Sequence, residues 1–268
     1  MDNILSDYQR IELKQFRVTT NRTSSALSVQ IDKLLDEQSM RRYLAQLGKH
    51  IGAANDKVTA SIFIKRYAFL AVAYLYTMTL KNAKLNISFE NVSLETDEKD
   101  ELWLPNFYLN DFHIETLIGN RETWRETCIY TLFNNHLYPL FDCLSRVTKV
   151  SKLILWENIS IYIVWLYETI LQKEELTEEV ILRSKEDFQY LLFQAPGSLF
   201  GGYNENPLKK YYNEHIYMEE YEKAVRPRKT CCYSYLTRSK KRCTSCPQVC
   251  TALAFVSEMQ RREEQSNE

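Results

Sequence analysis

A mainly α-helical α+β fold with a small antiparallel sheet is the class this sequence predicts. Apolar residues recur at helical spacing through most of the chain, at residues 31–47, 58–80, 124–144, 151–172 and 178–194. Only residues 85–94 switch to a period of two. The hydrophobic share, 45% of 268 residues, can fill the core of one large or two ordinary domains.

Taken in order, residues 11–19 read as a first extended stretch. Ile31, Leu34 and Leu35 open a helical pattern that continues through Leu44 and Leu47 after a cap at Ser39. Residues 58–80 are apolar all round, the pattern of a buried helix, and their longest apolar run, 67–80, is too short to span a bilayer. Leu85, Ile87 and Phe89 alternate with Asn86, Ser88 and Glu90, and Val92 and Leu94 continue the alternation. This predicts a strand or hairpin with one solvated face. The acidic residues 95–101 read as a solvated loop and residues 102–117 as partly extended.

Helical spacing returns with Trp124, Cys128, Leu132, Leu137, Leu140 and Leu144, and Pro139 is placed to kink or split that helix. Residues 151–172 form a strongly apolar helix, and Thr177 caps another over 178–194 with two carboxylates in its first turn. Pro196-Gly197 and Gly201-Gly202 mark a loop, after which Asn206 and Pro207 predict a further helix start. A division near residues 100–120 gives an N-terminal α+β region, 1–118, and a helical C-terminal region, 119–268, whose segment 226–262 carries a cysteine cluster.

That cluster is the chemical centre of the sequence. Cys231 and Cys232 are adjacent, ten residues follow, then Cys243 and Cys246 stand in a C-x2-C pair, with Cys250 beyond. Residues 1–10 lack the apolar core of a signal sequence, so the expected setting is cytoplasmic, where thiols stay reduced and serve as metal ligands rather than disulfides. A structural zinc site normally takes two separated C-x2-C pairs, and only Cys243 and Cys246 form one. The adjacent pair is easier to place across a two-iron [2Fe–2S] cluster; the spacing leaves both metals open. Pro247 fits the first turn of a helix with Val249, Leu253, Val256 and Met259 on its apolar side. Cys246 then stands at a helix N-terminus, where partial positive charge favours a thiolate, and Cys250, one turn on, reads as core packing, with a place beside the metal site as the alternative.

Basic residues crowd the cysteines: Arg226, Arg228, Lys229, Arg238, Lys240, Lys241 and Arg242. They form either a solvated basic face or a patch that balances a thiolate site and attracts an anionic partner. The formal net charge of −1 excludes a global attraction to nucleic acid or anionic membrane. A basic zinc module gripping phosphate, with Tyr233 and Tyr235 to stack, is a weaker third reading. The 6 glycines include no G-x-G-x-x-G and no P-loop, so no bound NAD(P)H, flavin or ATP is expected, and for a redox protein that means electrons from outside the chain. His50, His113, His136 and His215 form no H-E-x-x-H pair and read as structural or surface residues. Trp156 and Trp165 read as core aromatics, with a place in a ligand pocket as the alternative.

The run Cys231-Cys232, ten residues, Cys243-Thr244-Ser245-Cys246-Pro247 resembles the C-C-x10-C-x2-C-P signature of the FhuF-like ferric siderophore reductases. His136-Leu137-Tyr138-Pro139-Leu140, Leu155-Trp156-Glu157-Asn158 and Asn206-Pro207-Leu208 also resemble stretches of that family and of the related siderophore synthetase superfamily. The resemblance implies a [2Fe–2S] cluster on Cys231, Cys232, Cys243 and Cys246. It further implies one-electron reduction of Fe(III) held by a siderophore, and a separate donor of the ferredoxin-like or flavoprotein reductase kind. A zinc-stabilised binding module and a siderophore-synthetase-like protein are the alternatives.

Overall fold

Two apolar helices pack side by side through the middle of the molecule: α3, Asp56–Lys81, and α6, Lys152–Glu168. The computed structural model describes residues 4–97, 102–173 and 175–250. Around this pair stand α1 (Asp7–Leu13), α2 (Glu37–Ile51), α4 (Arg121–Tyr130), α5 (Tyr138–Thr148) and α7 (Glu178–Gln189). Both central helices bury residues around their whole circumference, as apolar helices without a polar face must. By length and composition α3 and the stretch Lys152–Gln172 could each cross a membrane, but 83% and 61% of their apolar windows are buried inside the fold. The helix at α3 therefore outruns the 67–80 apolar run, because Lys65 and Arg66 are carried within it.

The strands are short. β1 (Val18–Thr19), β5 (Asn106–Leu109), β4 (Val92–Glu95) and β2 (Val29–Gln30) make one sheet in the order β1-β5-β4-β2, antiparallel except for the β1–β5 pair. β3 (Ala83–Leu85) pairs with β6 (Ile114–Thr116), and β7 (Ile216–Met218) with β8 (Lys223–Val225). The mainly helical α+β class is thus the one observed. A continuous core runs from Leu5 to Tyr211 and draws on both sides of residue 118.

Several local expectations give way. Residues 11–19 are not extended throughout: α1 ends at Leu13, started by a capping box in which Ser6 and Gln9 satisfy each other's backbone N–H. Asp36, not Ser39, caps α2, and its carboxylate accepts from the Ser39 N–H at 2.8 Å. Strand β4 has no solvated face, because all four of its residues are buried. Glu95 belongs to it rather than to a solvated loop and accepts from the N–H and hydroxyl of Thr23 at 2.8 and 2.9 Å. Asn206 starts no helix. Its side chain donates to the carbonyls of Leu191 and Ala195 and accepts from the Leu208 N–H, closing a loop ahead of a single 3-10 turn, Lys209–Tyr211.

Pro139 splits its helix by a particular device. Between α4 and α5 the chain widens into a π-helical segment, Thr131–Leu137, and Tyr138 N–H donates to Phe133 O, five residues back. The wide turn places Pro139, which has no N–H to give, in the first turn of α5. A second π-helical segment, Tyr190–Gln194, ends α7. The helix begun at Pro247 is described only to Cys250; Leu253, Val256 and Met259 lie outside the described residues.

Candidate metal centre

The cysteine segment drapes over one end of the α3–α6 pair and is held there by polar residues buried in otherwise apolar helices. Glu157 of α6 is 1% exposed, and its carboxylate accepts from the N–H of Lys229 (2.6 Å), the N–H of Thr230 (2.7 Å) and the Thr230 hydroxyl. It also pairs with the buried guanidinium of Arg228 at 3.6 Å. Arg228 in turn donates to Asn158 Oδ1 at 2.6 Å, and its backbone N–H to Ser245 O at 2.9 Å, joining the two halves of the segment. Asn158 Nδ2 donates to the carbonyl and hydroxyl of Ser61 on α3, and the Ser61 hydroxyl donates to Cys232 O at 2.9 Å. An uncompensated carboxylate could not persist at this depth, and here each oxygen finds a donor. The spacer is fixed at α2 and the turn after it, where Arg238 N–H donates to Ile51 O and Ala54 N–H to Leu236 O.

This scaffold brings the four signature cysteines together as two pairs. Cys232 Sγ lies 3.8 Å from Cys243 Sγ, and Cys231 stands near both Cys232 and Cys246. All the cysteines are free thiols. Cys232 and Cys246 are buried, whereas Cys231 and Cys243 are half-buried. Among the described residues, no three His, Cys, Asp or Glu side chains converge on a single metal position.

Hydrogen-bond donors are directed at the sulfurs. Tyr233 N–H donates to Cys231 Sγ at 3.4 Å, Lys65 Nζ to Cys232 Sγ at 3.7 Å, and Arg242 to Cys246 Sγ at 3.9 Å; Ser234 Oγ lies 2.9 Å from Cys232 Sγ. Cys232 and Cys243 are hydrogen-bonded sulfur to sulfur. The hydrogen bond from Cys243 pulls the Cys232 thiol well below its ordinary range, helped by the Lys65 and Arg228 charges and Ser234, and the same bond pushes Cys243 up. Burial raises the Cys231 and Cys250 thiols. Cys250 packs with Met218 and Val225, as core packing requires.

The basic residues separate into two groups. Arg226 donates to both oxygens of Glu168 at 2.8 and 3.0 Å and stacks on Tyr212, so that it and Arg228 hold the segment in place. Lys229, Arg238, Lys240, Lys241 and Arg242 are exposed, with Arg242 over the Tyr235 ring at 3.9 Å. Sequence reasoning missed Ser61, Lys65, Ser234 and Glu168. The one readable signal was Glu157-Asn158 standing inside an apolar helix run, a carboxylate that needs a partner.

The family-like stretches outside the cysteines turn out to be scaffold. Trp156 is buried and donates to the Tyr203 hydroxyl at 2.9 Å, and Tyr203 packs edge-on to Tyr138. His136 is buried, stacked between Tyr67 and Phe89, with a ring nitrogen 2.7 Å from the Tyr67 hydroxyl. Burial pulls its imidazole down to about 3, so it is neutral in the fold.

A family model described as "Ferric iron reductase FhuF-like transporter" matches residues 61–220. The chain belongs to the FhuF-like family. The match starts at Ser61, the residue that anchors Cys232, and takes in His136, Glu157, Asn158 and Asn206. It stops short of Cys231, so the family's scaffold is matched and the cysteines lie just past its end. No curated protein matches the sequence.

Proposed function

We propose that this FhuF-like protein is a cytoplasmic ferric siderophore reductase whose redox group is held by Cys231, Cys232, Cys243 and Cys246. The observation that carries the reading is the gathering of these thiols as two pairs under donors aimed at the sulfurs. Two pairs suit a two-iron centre, whereas one tetrahedral zinc ion asks for four thiolates around a single point. A [2Fe–2S] cluster there would supply electrons one at a time. The chain's own part is to hold four thiolates, to direct cations and N–H groups at them, which favours the reduced state, and to keep Cys231 and Cys243 near the surface for exchange.

The substrate is Fe(III) held by the oxygen donors of a siderophore, which bind Fe(II) far less well. With no glycine-rich nucleotide loop, the electrons come from a separate ferredoxin-like or flavoprotein donor. The exposed cations Lys229, Arg238, Lys240, Lys241 and Arg242 raise encounter with an anionic chelate or an acidic donor.

The test is visible absorption and EPR of anaerobically purified protein before and after dithionite. A brown protein that bleaches and gains a spin-half signal is expected, with Cys243→Ser losing both the colour and ferric siderophore reduction while its far-UV CD stays that of the parent. A colourless, EPR-silent protein carrying zinc would establish the zinc-stabilised binding module instead.

A further inference from the structure

A groove of about 320 Å³ runs along α6 with Cys243 in its wall. Phe69 of α3 and Tyr162 and Trp165 of α6 line it with aromatic surface, Ile161 adds aliphatic surface, and Lys65 brings a cation. A second cavity of about 190 Å³ continues from it along α6, sharing Ile161 and Trp165 and ending at Glu168 and His215. The groove has the mixture that small-molecule sites show, an apolar bed with a few convergent polar groups. Trp165 is half-buried rather than a core aromatic, and packs edge-on to Phe16 and Phe69.

We infer that this groove is the chelate-binding site: the organic frame of the ferric chelate lies on Phe69, Tyr162 and Trp165, and its iron end faces Cys243 and Lys65. The inference rests on the reductase reading above and adds to it the place of binding. Two features favour the groove over the larger cleft, about 890 Å³, that Lys209, Lys210 and Lys229 line. No signature cysteine lines that cleft, so a chelate there would stand away from the thiols. In the groove a half-buried signature cysteine is itself part of the wall, and the Lys65 ammonium, 3.7 Å from Cys232 Sγ and 3.2 Å from Ser234 Oγ, is placed between the thiols and an incoming anion. Lys65 is one helical turn beyond Ser61 on the same face of α3, so the helix that anchors Cys232 also sets the cation.

The experiment uses the full chain, carrying its native metal, and titrates it with gallium(III) complexes of a trihydroxamate and of a tricatecholate chelator. Gallium(III) matches Fe(III) in charge but accepts no electron, so binding is read without turnover. Tyr162→Ala and Phe69→Ala are expected to weaken binding of the chelate that the parent binds by about tenfold, the loss of one aromatic contact. KM for the ferric chelate should rise by the same factor with kcat little changed and an unaltered visible spectrum. Lys65→Gln should weaken the more anionic chelate more than the less anionic one. Lys209→Ala with Lys210→Ala should leave binding as it is. Parent-like affinity in both Tyr162→Ala and Phe69→Ala, or loss of binding in the lysine pair alone, overturns the groove as the site. Failure of the parent to reduce any ferric chelate while it binds gallium chelates in the groove would count against the reductase reading and leave the site standing.

Discussion

Glu157 carries more of the cysteine segment than any of the basic residues around it. Its carboxylate is shared by two backbone N–H groups, one hydroxyl and a buried guanidinium, all from residues 228–230. Glu157→Gln turns one acceptor oxygen into a donor facing other donors and leaves the Arg228 charge buried without its counter-ion. Breaking a buried pair of this kind costs about 3–5 kcal/mol, whereas the partly exposed Arg226–Glu168 pair should cost about 1 kcal/mol or less in Glu168→Gln. Urea midpoints should therefore separate the two variants, and bound metal per chain should fall in Glu157→Gln while staying near parental in Glu168→Gln. Equal midpoints would remove Glu157 from its anchoring role. The sequence made the carboxylate conspicuous, but its partners stand about seventy residues away, a pairing that periodicity does not encode.

At the scale of elements, helices were legible because apolar spacing reports burial directly: α3, α6 and α7 stand where their patterns put them, and Thr177 caps as expected. Short strands were less so. Residues 85–94 alternate as a strand or hairpin would, yet β3 and β4 do not pair with each other and lie in different sheets, joined through a turn at Glu90 and Asn91. The π-helical segment before α5 had only Pro139 as a sign, and the contact next to it is remote in sequence: Tyr138 lies against Gly201. Gly201 has φ +108°, a region that side chains disfavour, and an added Cβ would stand 2.4 Å from the Tyr138 ring. Gly201→Ala should cost about 2–4 kcal/mol and lower Tm by roughly 5–12 °C. Gly119, with φ +76° and open space around it, separates strain from collision: Gly119→Ala should cost about 1 kcal/mol. Similar shifts in the two would mean that backbone strain alone accounts for Gly201, and that Tyr138 yields.

For the whole molecule, the joint between the helices and the strand region is made at His136. The π-helical segment presents its ring to Tyr67 of α3 on one side and to Phe89 of the β3–β4 connection on the other, with a further hydrogen bond to the Ile87 backbone. Because burial holds the folded imidazole at about 3 against an ordinary 6.5, the unfolded chain takes up a proton at mildly acid pH that the folded chain refuses. The neutral ring's contribution is therefore fully present above about pH 6.5 and is lost as pH falls from there toward 3, by about 1.4 kcal/mol for each unit of pH. His136→Gln keeps a partner for the Tyr67 hydroxyl but cannot titrate. The variant should be the less stable at pH 7, and the gap between parent and variant should narrow by about 2 kcal/mol between pH 6.5 and 5, measured by urea unfolding at matched metal content. A gap that stays constant with pH would mean that the folded ring takes up its proton as freely as the unfolded one. The joint between the two layers would then be open to water rather than closed around a neutral histidine.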